Sequence, residues 1–188
     1  MKPVFHQTGA AMIELLIAML IIAFGALGFV GLQVKTSATQ LESYQRSQAL
    51  ILINDITERM SLNRRNAANY VAANVGVNAP ADCTPAGLAA LASGQQQATK
   101  DLCEWAALLQ GAAETQGAAR SGAMLGARGC ISAYADAADP AGSNYLVTVA
   151  WQGIQPSGAP ASACGVDQYS AENLRRTVNK IVRFASLG

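Results

Sequence analysis

The chain carries an apolar run from Ala10 to Val34, AAMIELLIAMLIIAFGALGFVGLQV, in which Glu14 is the only charge. A helix of about 25 residues is about 37 Å long and reaches across the hydrocarbon core of a bilayer. The apolar region of a secretory signal peptide is only ~7–15 residues and ends at a small-residue cleavage site. Here the run is longer and passes without such a break into an amphipathic stretch. Glu14 then separates the remaining readings. An ionisable side chain inside a membrane span costs on the order of 2–3 kcal/mol, so it needs a partner or a purpose. A plain anchor would gain from leucine at that position. The run therefore predicts a membrane helix in which one carboxylate has work to do.

A short polar leader, MKPVFHQTG, precedes the run, and Glu14 follows Gly9 by five positions. A small residue followed by an apolar stretch with a glutamate at its fifth place resembles the class III signal of type IV prepilins. The resemblance implies that a prepilin peptidase cuts between Gly9 and Ala10 on the cytoplasmic side and methylates the new amino terminus. It also implies that Glu14 pairs with an N-terminal amine during filament assembly. The family usually has phenylalanine and then threonine after the cut, where this chain has Ala10 and Ala11. The segment IELLIAMLIIAFGALGFVGLQ, with Gly25, Gly28, Gly31, Leu32 and Gln33 toward its end, is similar to minor pilins of the PilV type. Read without that likeness, the three glycines leave two explanations open. They form a face on which another backbone packs closely or a point where the weakened helix melts locally, or they are glycines of the kind membrane helices tolerate.

Past the run, apolar residues recur at Val34, Ala38, Leu41, Ala49, Leu52, Ile56 and Met60, with Gln45 filling one slot. Steps of three and four describe one helical stripe. No glycine or proline interrupts Leu32 to Arg65. The helix is expected to end near Asn66–Asn69, because asparagine favours caps and turns over helix interiors. Such a stripe serves a coiled-coil stalk or a sheet packed on it, and the strands predicted downstream favour the sheet.

In the remainder, Val71 to Ala98 reads as loop with a short helix over Pro85–Ala92. Thr99 is expected to cap a helix that buries Leu102, Trp105, Ala106 and Leu109 on one face. Gly111 to Gly126 reads as a second loop. Strands are predicted at Gly129–Tyr134, at Tyr145–Trp151 and at Arg176–Phe184, with a turn over Asp139–Asn144. For the last strand a helix is the rival, because Ser170–Leu174 carries a capping signal.

Four cysteines, Cys83, Cys103, Cys130 and Cys164, follow the membrane run and contain no C-x-x-C pair. An even count in a small domain beyond a membrane segment points to two disulfides in an oxidising compartment. Of three connectivities, Cys83–Cys103 with Cys130–Cys164 closes local loops. Each would add about 3–4 kcal/mol by restricting the unfolded chain. The cysteines also place the head outside the cytoplasm, more firmly than the charge pair Lys2 and Lys35 does.

The expected layout is a leader over residues 1–9, a transmembrane assembly helix over 10–34, its continuation over 35–69, and an extracytoplasmic head over 70–188. In fold class this is α+β, the type IV pilin fold: a long N-terminal helix, half transmembrane, on a small antiparallel sheet with disulfides. The cysteine-bearing strand, the Tyr145–Trp151 strand and the basic final strand resemble the same family over most of the head.

Catalysis finds little to work with. The one histidine, His6, falls in the leader, which removes Ser–His and Cys–His pairs and most zinc sites. No phosphate-binding glycine motif occurs. Asp136 with Asp139, and Asp167 with Glu172, sit in turn sequence without the spacing of a calcium loop. No enzyme activity, cofactor or metal is expected. A net charge of +1 gives no field to recruit nucleic acid.

The resemblance implies a minor pilin that sits in the inner membrane with its head in the periplasm and then joins the pilus. Its implied partners are the major pilin, other minor pilins, the prepilin peptidase and a PilY-type tip adhesin. A minor pseudopilin of a type II secretion system shares the layout and Glu14. An ordinary anchored domain binding peptidoglycan or carbohydrate predicts neither a cut at Gly9 nor a role for Glu14.

Overall fold

The computed structural model describes residues 8–77, 83–111, 115–116, 119–120, 124–135 and 143–184. The chain divides into two compact units, Met1–Leu41 and Glu42–Gly188. Helix α1 (Thr8–Leu62) contributes to both.

In the first unit α1 is apolar on every side from Met12 to Leu32 apart from Glu14, with Phe24, Leu27, Phe29 and Leu32 all broadly exposed. A helix without a polar face belongs in a nonpolar surrounding rather than at a water boundary. It is long and apolar enough to cross a membrane. Polar residues begin just after it. The hydroxyls of Thr36, Ser37 and Thr39 donate to the carbonyls of Leu32, Gln33 and Lys35 at 3.0, 3.0 and 3.1 Å.

In the second unit, residues 42–62 of α1 pack on a sheet and on a second long helix, Ser93–Leu109. The buried stripe of α1 is Ala49, Ile53, Ile56 and Met60. Ile53 was absent from the expected stripe, and Leu52 sits at its margin, half-buried. Regular helix ends at Leu62, earlier than expected, and continues as a tighter 3-10 segment, Arg64–Tyr70. The cause is Asn63, whose backbone leaves the helical region (φ −111°, ψ 35°). Its side-chain amide donates to the Gly94 carbonyl at 3.2 Å.

After Tyr70 comes strand β1 (Ala72–Val75), inside the stretch read as loop. Helix α2 (Pro85–Ala89) is capped by Thr84, whose hydroxyl accepts from the Gly87 amide at 3.1 Å. Helix α3 (Ser93–Leu109) begins six residues before Thr99 and has no side-chain cap. The turn at Asn63–Asn66, folded against Gly94, supports its first turn instead. Two-residue strands β2 (Thr115–Gln116) and β3 (Ala119–Arg120) pair with each other.

Strands β4 (Arg128–Ala133), β5 (Ser143–Gln152) and β6 (Arg175–Phe184) complete a four-stranded antiparallel sheet in the order β1-β4-β5-β6. The expected turn over Asp139–Asn144 lies largely outside the described residues. The capping signal before β6 forms one 3-10 turn, Glu172–Leu174, and the strand follows. Where β1 meets β4 the register slips by one residue, and Asn74 takes up the extra length at a left-handed φ of 56°.

The inner face of the sheet, with Ile131, Val147 and Val149, joins α1 and α3 in one core. Trp105 of α3 is fully buried there and donates its indole N–H to the Leu52 carbonyl at 2.9 Å. Two disulfides, Cys83–Cys103 and Cys130–Cys164, staple the head. The architecture is that of a type IV pilin: a long apolar N-terminal helix, a small antiparallel sheet and two disulfides.

Candidate functional site

Two regions carry the residues of interest: the N-terminal half of α1, and the polar contacts that fasten residues 42–62 to the head. Gly9 and Ala10 fall in the first turns of α1. Glu14 lies one turn further on and is exposed. Among the described residues no basic side chain forms an ion pair with it. A β-carbon on Gly25, Gly28 or Gly31 would meet nothing within 4 Å. Within a single chain, then, nothing crowds these glycines.

The C-terminal end of the docked helix is held by a partly buried charge cluster. Arg59 bonds Asp55 at 3.0 Å, one turn back, and reaches across to Asp101 at 3.4 Å and to Glu104 on α3. Asp101 is buried and also accepts from Gln97 at 2.9 Å and from the Tyr70 hydroxyl. Burial works against the Arg59 charge, but its bonds to Glu104 and Asp55 outweigh it and raise the guanidinium pKa. Tyr70 is pushed up by burial first and by its bond to Asp101 second. On the sheet side, the Lys180 ammonium of β6 donates to Asn54 and Thr57 at 2.9 and 3.2 Å.

At the other end, Glu42 meets the start of the long connection between β5 and β6, and Gln45 meets the end of β5. Glu42 Oε1 accepts from the backbone amides of Ile154 and Gln155 at 3.2 and 3.1 Å and from Arg176 at 3.2 Å. The Gln155 amide does most to hold this carboxyl below the usual carboxylate range; burial opposes it and Arg176 assists. Gln45 Oε1 accepts from the Trp151 indole at 3.2 Å.

The connection itself, residues 153–174, has a buried cation at its base. The Arg175 guanidinium donates to the carbonyls of Pro160, Ser162 and Cys164 and pairs with Glu172 at 2.7 Å. Cys164 is tied to β4 by its disulfide. Tyr169 donates its hydroxyl to the Gly126 carbonyl at 3.0 Å, with the Arg128 guanidinium over its ring. Between this connection and β1 lies an open groove of about 660 Å³, floored by Ser132, Leu146 and Thr148.

None of these clusters aligns a nucleophile with a base; each holds one element to another. Among the described residues no three His, Cys, Asp or Glu side chains gather as a metal site. His6, Asp136 and Asp139 lie outside the described residues. Asp167 and Glu172 are joined through the Asp167 amide, which donates to the Glu172 carboxylate at 2.8 Å. Sequence reading missed Glu42, Arg59, Asp101 and Arg175 as anchors. Short spacing in the sequence advertised the Asp55–Arg59 and Glu172–Arg175 pairs, but not the contacts that reach across to another element.

Compared with known proteins, residues 31–103 match a family model described as Tt1218-like, type IV pilin Tt1218. The match covers the second half of α1, β1, α2 and α3 as far as Cys103, and leaves β4, β5 and β6 outside it. No curated protein and no solved structure matches the chain at a significant level.

Proposed function

We propose that this chain is a minor pilin of the PilV type, a reading supported by the match of residues 31–103 to a type IV pilin family model. Its layout supports the reading: one apolar helix with a lone carboxylate near its start continues, without a break, into a disulfide-stapled head. In this reading residues 1–9 are a leader removed after Gly9, Ala10 becomes the methylated terminus, and residues 10–34 hold the protein in the inner membrane. The head faces the periplasm, where disulfides form.

On assembly, Glu14 is satisfied by the terminal amine of a neighbouring pilin. In hydrocarbon an ion pair of this kind replaces a solvation cost that neither charge can bear alone. The same surroundings give Gly25, Gly28 and Gly31 a partner helix to approach. The subunit joins a tip or priming complex with other minor pilins, ahead of the major pilin and beside a PilY-type adhesin.

The observation that carries this is Glu14, an unpartnered carboxylate in an otherwise uncharged run. The test is N-terminal mass spectrometry of the protein from cells with and without prepilin peptidase. An N-methylated Ala10, lost without the peptidase, is the expected result. A cut elsewhere, or an intact leader in both strains, would remove the pilin reading in favour of an anchored binding domain. A Glu14→Ala variant should be processed normally yet fail to enter pili. Rescue of a secretion defect rather than a piliation defect would instead make the chain a pseudopilin.

A further inference from the structure

We propose that residues 42–48 of α1 form a latch on the head, one that opens while the seam from Ala49 to Met60 stays closed. The change in chemistry along the helix supports this. From Ala49 onward the centre of the docked face, Ala49, Ile53, Ile56 and Met60, is apolar and fully buried, and the polar contacts of Asn54, Thr57 and Arg59 flank it. Before Ala49 the contacts with the head that the described residues show are polar: Glu42 with Ile154, Gln155 and Arg176, and Gln45 with Trp151. Tyr44, Leu50 and Ile51 on the remaining surface of the helix are exposed. Opening the seam would put Ile53, Ile56 and Met60 into water. Opening the latch uncovers part of the buried Trp151 ring and otherwise exchanges hydrogen bonds with protein for hydrogen bonds with water, a smaller change.

The head side is built to survive that exchange. Ile154 and Gln155 are exposed, so their amides hydrate once the carboxylate leaves. Arg176 also donates to the carbonyls of Gln155 and Asn173, so its charge keeps protein partners when Glu42 departs. No buried ion is stranded, which is the usual barrier to parting such a pair. Release frees two turns of helix, about 10 Å, and leaves the core intact. The latch works in this way whatever the helix goes on to join.

The protein supplies its own reporters, because each of its two tryptophans donates its indole N–H to a different part of α1. Trp151 bonds Gln45 in the latch, and Trp105 bonds the Leu52 carbonyl in the seam. With the full chain in detergent micelles and nitrogen-15 in the indoles, hydrogen exchange can be followed at both. In Glu42→Ala the Trp151 indole should exchange about tenfold faster, with Trp105 unchanged. Gln45→Ala removes the indole acceptor instead, and the Ile154 and Gln155 amides should then accelerate. If Trp105 accelerates together with Trp151, the helix docks as one cooperative unit and there is no latch. If neither variant alters exchange at the partner site, Glu42 and Gln45 act independently and the proposal is equally overturned.

Discussion

The ring of Trp105 occupies the space that a β-carbon on Gly129 would need. The α3 helix and strand β4 are thereby brought together at a point where one of them has no side chain. A substitution here meets a fully buried indole whose N–H is already committed to the Leu52 carbonyl. Gly129→Ala should therefore destabilise the head by about 2–3 kcal/mol through overpacking. Denaturant unfolding followed by tryptophan fluorescence measures it. An effect under about 0.5 kcal/mol would mean that the α3–β4 contact yields freely.

Asp101 gathers bonds from Arg59, Tyr70 and Gln97 on three different stretches of chain. Asp101→Ala leaves a partly buried guanidinium and a buried hydroxyl without that acceptor, and should cost about 3 kcal/mol. Tyr70→Phe alone should cost about 1 kcal/mol. In the double variant the two losses should fall short of additive by about 0.5 kcal/mol or more, since they remove the same bond. Strict additivity would show that Tyr70 and Asp101 are not coupled.

The two disulfides close loops of different length, with sequence separations of 20 and 34 residues. Loop entropy predicts losses of about 3 kcal/mol for Cys83 and Cys103 to alanine, and about 4 kcal/mol for Cys130 and Cys164 to alanine. The connection before β6 has a second tether in Arg175, so the Cys130/Cys164 variant should keep that loop in place. Adding Arg175→Gln should then release it, read as proteolytic cleavage between Gly153 and Asn173. Cleavage in the cysteine variant alone would show that Arg175 does not hold the loop.

Burial pushes the Tyr169 phenol up to about 12, against the attraction of Arg128 and Arg175 for its anion. A folded pKa above the unfolded value of about 10 favours the protonated form in the native state. Its stabilising contribution is therefore complete below about pH 10 and is lost as pH rises through about 12. In a tyrosinate absorbance titration one step should appear near that upper value and vanish in Tyr169→Phe. If Tyr169→Phe leaves the titration curve unchanged in shape, the half-buried ring does not sit against Gly126 and Arg128 as described.

Much of this architecture is legible in the sequence, for reasons that differ by element. The length of α1 follows from an uninterrupted run without glycine or proline past Leu32, and β5 from β-branched and aromatic residues in Tyr145–Trp151. Strand β1 escapes notice because Ala-Ala-Asn-Val has little intrinsic preference for a strand. It is a strand because β4 offers an edge to pair with. The start of α3 was misplaced for a related reason: the expected cap at Thr99 is a local signal, and the turn at Asn63 supports the helix from a distance. Glu14 was visible from its isolation among apolar neighbours. Glu42 and Arg175 were not, because a carboxylate on a helix and an arginine at a strand end look ordinary until the loop they hold is in place.

The hydroxyls of Thr36, Ser37 and Thr39 are each bonded to a carbonyl one turn back on α1. Side chains that satisfy themselves this way lose less on leaving water than free hydroxyls do. The apolar run is also longer than a hydrocarbon core of about 30 Å requires. Together these properties blur the upper edge of the span. As a membrane span, such a helix would ride deeper or shallower by a turn, matching bilayers of unequal thickness without tilting steeply. In the minor-pilin reading, Lys35 then marks that edge only as far as its flexible stem lets the ammonium reach water.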